Sequence, residues 1–482
     1  MRAVMPLLVL TMLVLCAGCK GGGFTPEEEA EASGVFAVQT SGELRAYGSP
    51  GAADPGTTAY VMHPYTGEAV VDADGSFTIS IELPTAGAQQ PSAAQASQMF
   101  MAIRLSYTRD GVDRLATATV THLADYITKP LFSTGAGPND MVFGLDSLYV
   151  ANTFDNTVVR FGLDGAELDS VSFGEFASPS YLGFVEGITT AGVLFSVNNG
   201  DNIVREAPAD DLGTTLCEEV LPWDDVFVGP GQPGIAPGLR YVPVARISSF
   251  NPVAYGPGMV TKQNTIGVIL STIATVGKNP QFTAVDLDQR AVLVVSVGEI
   301  VFNESFVPHP ESPSFLEAYS WNPSDSPDYP HDDELLYAIE LGEIGAGRIA
   351  LDENTGTAYL GNSLNGNLYK VDYANGTVLR GISNPIVLTE EFTYISDVAY
   401  TPDGRYVLAT SFNTDELYVI DTATDTVNPG PYPAPFDMSL DPELMAGCAN
   451  VEIDPTPRDD GGYNAYVLYG VANAVAKVEL IP

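Results

Sequence analysis

The sequence contains few of the residues that commonly act in catalysis and metal binding, since its 482 residues include only four histidines and four cysteines. It also has only two tryptophans. So few imidazoles leave little scope for catalysis or metal binding based on histidine. Neither a Gly-x-Ser-x-Gly elbow nor a His-Glu-x-x-His helix motif occurs in the sequence. These absences argue against the common serine-hydrolase and zinc-protease classes.

Basic residues are also scarce, with 20 Lys and Arg against 61 Asp and Glu and a formal net charge of −41. Binding to nucleic acid or to anionic lipid draws its affinity from Lys and Arg that neutralise phosphates, so both partner classes are disfavoured. An acidic surface attracts divalent cations instead. The 45% apolar and 10% aromatic content opposes disorder and is sufficient for a large core.

Long apolar runs are scarce, and the run at residues 4–15 has only twelve residues. As a helix it would span about 18 Å, well below the roughly 30 Å of a bilayer core. A positively charged Arg2 precedes it and a series of small residues ending at Cys19 follows it. This order predicts a signal peptide over residues 1–19 and export from the cytoplasm.

The end of the signal, Ala17-Gly18-Cys19, resembles a bacterial lipobox, which implies lipidation of Cys19. It departs from the family pattern at Cys16, where Leu is usual. Under the sorting rule that accompanies this resemblance, Lys20 after the lipidated cysteine favours the outer membrane.

Residues 20–33 are too acidic and too poor in large apolar side chains to pack, so they predict a flexible tether. Residues 34–127 alternate short apolar strands with turn clusters and resemble bacterial Ig-like and carboxypeptidase-regulatory-like β-sandwich modules. The strands predicted there are 34–38, 58–62, 76–81 and 101–107.

Internal repetition dominates residues 131–482. Segments 148–161 and 358–371 align without a gap, and 406–420 is a third copy. Each is an apolar strand, a turn rich in Asn, Asp and Gly, and a second alternating strand. Weaker copies lie at 194–204 and 466–478.

Adjacent clear copies are separated by 46 residues from Tyr149 to Phe195 and by 48 from Tyr359 to Val407. Additional short strands flank most hairpins, and four antiparallel strands per repeat are typical of a β-propeller blade. The spacing leaves room for seven blades. The two less regular ones are expected around 241–276 and 282–341.

The hairpins resemble the YVTN and NHL-like propeller repeats, most closely at 148–152 and 417–421. The resemblance implies an all-β fold, an N-terminal sandwich followed by a propeller. It leaves function open, because propellers of this type include surface scaffolds, ligand binders, lactonases and lyases.

Two cysteines lie outside the signal peptide, Cys217 and Cys448. On the oxidising side of a membrane a disulfide between them is permitted. Two buried thiols are the alternative.

One acidic segment invites a metal hypothesis: His331, Asp332, Asp333 and Glu334 could bind a divalent cation such as Ca²⁺. A solvated loop is the favoured interpretation. The run Asp72-x-Asp74-Gly75 has its Gly too early for an EF-type calcium loop and predicts a hairpin turn. The recurring Asn residues are attributed to turn chemistry, namely Asn152, Asn156, Asn198, Asn202, Asn362, Asn365 and Asn413.

Two functions remain. The favoured one is a binding or scaffold lipoprotein of the cell envelope, whose partner is a protein or a glycan. The alternative is a metal-assisted hydrolase or lyase, which predicts three or more carboxylate or histidine side chains at one mouth of the channel. The scaffold hypothesis predicts a filled, apolar channel.

Overall fold

A computed structural model describes most of the chain between Val35 and Leu480, and its regular elements there are all β-strands. Across these residues, no helix with the length and apolar character of a membrane span is found. The signal peptide, Cys19 and the tether lie outside the described residues, as do residues 481–482 and these internal segments: 40–42, 49–51, 64–65, 83–101, 110–111, 123–126, 187–191, 222–226, 237, 251–252, 265–267, 303–307, 322–332, 343–344, 390–392, 430–431, 433–434, 440–444 and 459–460.

The N-terminal region forms a seven-stranded sheet in the order β4-β3-β6-β7-β1-β2-β5. The alternating strands bury one set of side chains in a separate core that includes Leu44, Val61, Phe77 and Leu105. An Ig-like assignment for this sheet stays a prediction. Its strands are β1 Val35–Gln39, β2 Glu43–Gly48, β3 Thr58–His63, β4 Gly67–Val70, β5 Phe77–Glu82, β6 Ala102–Arg109 and β7 Val112–His122.

The turn predicted before β5 is present. Gly75 has a φ of 84°, and its N–H donates to the Asp72 carbonyl at 3.1 Å. The Asp74 carboxylate accepts the Ser76 N–H at 2.9 Å. Turn chemistry therefore accounts for this acidic run.

After β7 the described residues form seven further sheets of four or more strands, here called sheets 1 to 7. Sheet 1 contains β9 Pro138–Gly144, β10 Ser147–Asn152, β11 Thr157–Gly162 and β12 Glu167–Ser172. Sheet 2 contains β13 Pro179–Val185, β14 Val193–Asn198, β15 Ile203–Pro208 and β16 Cys217–Val220. Sheet 3 contains β17 Phe227–Pro230, β18 Gly234–Ala236, β19 Leu239–Phe250, β20 Val253–Tyr255, β21 Pro257–Asn264 and β22 Ile269–Lys278.

Sheets 4 to 7 follow the same antiparallel plan. Sheet 4 contains β23 Pro280–Asp286, β24 Ala291–Ser296, β27 Ser314–Ser320 and β28 Leu335–Gly342, and sheet 5 contains β29 Ala346–Asp352, β30 Thr357–Asn362, β31 Asn367–Asp372, β32 Thr377–Arg380 and β33 Ile386–Val387. Sheet 6 contains β34 Ile395–Tyr400, β35 Tyr406–Ser411, β36 Glu416–Asp421, β37 Thr426–Val427 and β38 Phe436–Asp437. Sheet 7 contains β39 Cys448–Ile453, β40 Asn464–Tyr469, β41 Ala474–Glu479 and β8 Ile127–Ser133. A small hairpin, β25 Ile300–Phe302 and β26 Pro308–Pro310, lies between β24 and β27.

The innermost strands contact one another in a closed ring, β9, β13, β18, β23, β29, β34 and β39, with β39 against β9. Second strands such as β10, β30 and β35 are buried along their whole length, whereas outer strands such as β12 alternate or are exposed. Strands covered on both faces favour continuous apolar sequence, which explains the runs seen in the repeats. The predicted all-β propeller is confirmed.

All five predicted hairpin copies are hairpins in the structure, for example β10 with β11 and β30 with β31. Three of their Asn residues act in turns as proposed: Asn156 and Asn202 have positive φ, and Asn362 accepts the N–H groups of Leu364 and Asn365 through Oδ1. Asn tolerates this left-handed conformation better than most residues. Asn413 instead accepts the Tyr394 N–H through Oδ1.

Sheet 7 takes its fourth strand from the opposite end of the propeller sequence. β8 pairs antiparallel with β41, where Phe132 opposes Val475 and Ser133 opposes Ala474. Phe132 is 2% exposed and packs in a core shared with sheet 1. The ring is thus closed by hydrogen bonds between segments at the two ends of the domain.

We predict that β8 is indispensable for the propeller. A chain of residues 127–482 keeps β8 and should unfold cooperatively in urea, as followed by circular dichroism. A chain of residues 134–482 loses Phe132 from the core, a change on the order of 3–5 kcal/mol, and exposes the edge of β41. Equal urea midpoints for the two chains would contradict the closure.

Candidate functional site

Arg348 lies at the centre of the ring of sheets. It belongs to β29, is 6% exposed, and donates from Nη2 to Asp140 Oδ1 at 2.7 Å. Its Nε lies 3.6 Å from Asp397 Oδ1, and its guanidinium carbon lies 5.8 Å from the ring centroid of Tyr181. Because these partners belong to sheets 1, 6 and 2, the guanidinium occupies the central channel.

Both aspartates also bind the backbone of the following sheet. Asp140 Oδ2 accepts the Leu182 N–H of β13 at 2.7 Å. Asp397 Oδ2 accepts the Val451 N–H of β39 at 2.9 Å. Each carboxylate therefore receives an N–H from the neighbouring inner strand with one oxygen and faces the guanidinium with the other.

Further polar side chains complete the channel layer. Asn450 of β39 donates from Nδ2 to Asp140 Oδ1 at 3.0 Å, while its buried Oδ1 has no hydrogen-bond partner. On the opposite side, the Tyr181 hydroxyl lies 3.5 Å from Gln281 Oε1 of sheet 4. Gln281 in turn donates to Asn279 Oδ1 at 2.7 Å.

Glu452 adds a third carboxylate two residues beyond Asn450, on the same side of β39. Desolvation raises the pKa of Glu452 well above its usual value, and the charges of Asp397 and Asp140 raise it further. Burial likewise raises the pKa of Asp140, and that of Asp397 to about 6, although Arg348 opposes both shifts. Burial alone would lower the pKa of Arg348, but Asp140 and Asp397 outweigh it and raise the value.

These shifts give the channel a defined chemistry. The Arg348 cation lies against Asp140 and Asp397, and half-buried Glu452 lies close enough for the charges of these two aspartates to raise its pKa. Glu452 therefore keeps its proton to a higher pH than an exposed glutamate does. Neither sequence expectation for the channel is met in full, because three carboxylates do converge but two of them lie against a guanidinium.

The segment proposed for metal binding is only partly described. His331 and Asp332 lie outside the described residues, and Asp333 Oδ2 accepts the Ser271 hydroxyl at 2.5 Å, with Oδ1 3.5 Å from Lys262 Nζ. The Glu334 N–H donates to Ser320 Oγ. Among the residues that the structure describes, no group of three or more His, Cys, Asp or Glu is arranged to hold a metal ion. The site at His331–Glu334 stays a prediction.

Cys217 and Cys448 are not joined to each other. Cys217 is on the outermost strand of sheet 2, and Cys448 is on the innermost strand of sheet 7, where it is fully buried. In the structure both are thiols, and burial raises the pKa of both; a disulfide between them stays a prediction.

Sequence reasoning missed every residue of the channel layer. Arg348, Asp140 and Asp397 each occupy the third position of an inner strand, in the order Ala-Gly-Arg, Pro-Asn-Asp and Ile-Ser-Asp. A charged residue within a short apolar strand is a signal that alignment of the repeats could have detected, since buried charges require partners.

Comparison with known proteins shows likeness at the level of fold. The chain resembles Chaetomium thermophilum Raptor with a TM-score of 0.52 and 12% identity, over 75% of this chain and 30% of that one. It also resembles virginiamycin B lyase from Staphylococcus aureus (0.48, 12%, 73% of this chain and 99% of that chain) and the Dos1 propeller (0.44, 11%, 72% and 79%). No family model and no curated protein sequence matches this chain. At such identities the activities of these proteins are not transferable.

We predict that Arg348→Met strongly destabilises the protein. The change leaves Asp140 and Asp397 without their counter-charge, which costs about 3–5 kcal/mol for a buried pair. The midpoint of urea unfolding measures the loss, and Arg348→Met combined with Asp140→Asn and Asp397→Asn should recover most of it.

The matched control is Arg380→Met. Arg380 pairs with Asp425 at 2.8 Å but its side chain is 39% exposed, so its removal should cost less than about 1 kcal/mol. Equal losses of unfolding free energy for Arg348→Met and Arg380→Met would show that the buried ion pairs of Arg348 stabilise the protein no more than an exposed pair does.

The raised pKa of Glu452 gives a signed pH dependence. The folded state retains a proton that the unfolded state has released above about pH 4.5, so this group's contribution to stability falls as the pH rises. Glu452→Gln should therefore melt at a higher temperature than wild type at pH 8, with the difference shrinking toward pH 5. Exposed Glu167→Gln is the control and should show no such trend. A difference independent of pH would contradict the assignment.

Proposed function

We propose that this protein is a lipid-anchored binding or scaffold protein of the bacterial cell envelope. In this proposal Cys19 carries the lipid, residues 20–33 are the tether, and an Ig-like module precedes a propeller of seven blades formed by sheets 1 to 7. The outer membrane is the favoured location, and a protein or a glycan of the envelope is the expected partner.

The arrangement around Arg348 is the observation that carries the binding proposal. The channel of a propeller enzyme must admit substrate and leave reactive groups accessible. Here Asp140 accepts hydrogen bonds from Arg348, Asn450 and Leu182, and Asp397 accepts one from Val451 while facing the same guanidinium. The charged groups in the channel thus bind and neutralise one another, which favours function on the outer surface of the propeller.

The metal-assisted alternative rests on Asp140, Asp397 and Glu452, the three carboxylates that converge in the channel. Their fit to a divalent cation is poor, because the Arg348 guanidinium already lies against two of them. Calorimetric titration of the protein with Ca²⁺ and Mg²⁺ tests this alternative. Heat from tight binding that is lost in Asp397→Asn would favour the enzyme.

Anchoring is tested by metabolic labelling with an alkyne-bearing palmitate in a bacterial host. We expect wild type and Cys16→Ala to be labelled and to sediment with membranes, because Cys16 is not the acceptor. Cys19→Ala should be unlabelled. Labelling that persists in Cys19→Ala would contradict the anchor.

Binding is tested by capture from envelope extract with the purified full chain. Recovery of a component above a bait-free control is expected. Recovery of nothing above that control would contradict the binding proposal even if the anchor is present.

A further inference from the structure

Two aromatic side chains in neighbouring loops of the fold are more than half exposed. Phe154 lies in the turn between β10 and β11 and is 53% exposed; Phe176 lies between β12 and β13 and is 77% exposed. Aromatic rings normally bury most of their area, since they supply much of a core's energy. The Phe176 ring is the more exposed of the two, while the Phe154 ring lies over Gly137.

Hydrogen bonds hold the two loops together. Asn156, two residues after Phe154, accepts the Ser178 N–H through Oδ1 at 3.0 Å and the Phe173 N–H through its carbonyl at 2.8 Å. The Thr153 hydroxyl donates to the Pro179 carbonyl at 2.6 Å. The turn that carries Phe154 is therefore bonded at both ends of the loop that carries Phe176.

The same surface continues onto sheet 7. The Phe154 N–H donates to the Ala136 carbonyl at 3.1 Å, and the Gly137 N–H donates to Asn473 Oδ1 at 2.9 Å in the turn between β40 and β41. That turn exposes 40% of Val471. We call Phe154, Phe176 and Val471 the aromatic surface, which extends over three consecutive sheets.

The backbone under Phe176 is strained. Its φ is 66°, a region that bulky residues seldom occupy. The next turn approaches so closely that a Cβ on Gly200 would lie 1.6 Å from the Phe176 carbonyl oxygen, and the Gly200 N–H donates to Ala177. Strain of this kind concentrates at binding sites, where the exposed side chain has a role outside folding.

Acidic side chains flank both rings. Asp155 follows Phe154 and Glu175 precedes Phe176, and both acids are exposed. The five loops that form this surface contain neither Lys nor Arg: 134–137, 153–156, 173–178, 199–202 and 470–473. The nearby Arg205 is engaged by Asp201 at 2.8 Å and by Glu218 at 3.0 Å.

We infer that the aromatic surface docks a cationic polypeptide segment in which Lys or Arg alternates with apolar side chains. The apolar side chains contact Phe154, Phe176 and Val471, and the cations meet Asp155, Glu175 and the faces of the rings. This inference rests on the proposed binding function and specifies its partner. Aromatic rings also stack on sugars, but a neutral glycan makes no use of the paired acids.

The probe is a fluorescent peptide of three Lys-Leu-Lys-Phe repeats, titrated with the full chain in detergent and followed by anisotropy. A peptide with Glu in place of Lys and a neutral oligosaccharide are run in parallel. We expect saturable binding of the basic peptide alone, weakened by raising NaCl from about 50 to about 500 mM because charge attraction is screened.

Variants separate the two parts of the surface. Phe154→Ser with Phe176→Ser should raise Kd about tenfold or more at both salt concentrations. Asp155→Asn with Glu175→Gln should raise Kd at low salt and reduce the salt dependence. Phe176→Asn should lower affinity without lowering the urea midpoint, because Asn accepts the positive φ.

Leu168→Ser is the matched control. Leu168 is also 53% exposed and lies between Glu167 and Asp169, but on the outer strand β12 away from the aromatic surface. It should leave Kd unchanged.

Equal weakening by Leu168→Ser, binding of the acidic peptide, or salt-independent binding of the oligosaccharide would each overturn the inference. Capture of an envelope component that persists unchanged in Phe154→Ser with Phe176→Ser would overturn it while leaving the binding function standing. Loss of all capture by wild type would instead contradict the proposed function.

Discussion

Closure of the propeller depends on how the buried charge of Arg348 is compensated. Moving a guanidinium out of water is expensive, and the cost is offset only when carboxylates and hydrogen bonds meet it in good geometry. Asp140 does so from 208 positions away in the sequence. The inner strands of sheets 5, 6, 7 and 1 must therefore all be in place before this interaction is favourable, which couples local strand formation to global closure of the ring.

A related use of carboxylates recurs away from the axis. Asp415 accepts the Ala446 and Gly447 N–H groups at 2.7 Å each, just before β39. Glu317, fully buried, accepts the N–H groups of Val276 and Gly277 at the edge of sheet 3. Backbone groups between sheets need partners when water is excluded. Part of the acidic surplus thus serves the joints between sheets, and exposed Asp155 likewise accepts the Ala136 N–H through Oδ2.

Local pattern was sufficient for the hairpins and insufficient for their assembly. Segments such as 148–161 repeat an apolar run, a polar turn and a second run, so the strand pairs followed from neighbours in sequence. The pairing of β8 with β41 and the meeting of Arg348 with Asp140 depend on chain segments hundreds of residues apart, which no local periodicity encodes. The exposure of Phe176 was also out of reach, because an isolated aromatic in a sequence is more often buried.

Closure by β8 imposes an order on biosynthesis. Ser133 is made 341 residues before its partner Ala474, the difference between their positions in the β8–β41 register. Until then the strand has an unpaired edge, the kind of surface that aggregates or pairs wrongly. Contacts of such large sequence separation also slow folding, because the entropy of a long loop must be overcome first. The final fold is therefore reached only after the C-terminal strand has been synthesised, and the nascent protein is most in need of protection during that interval.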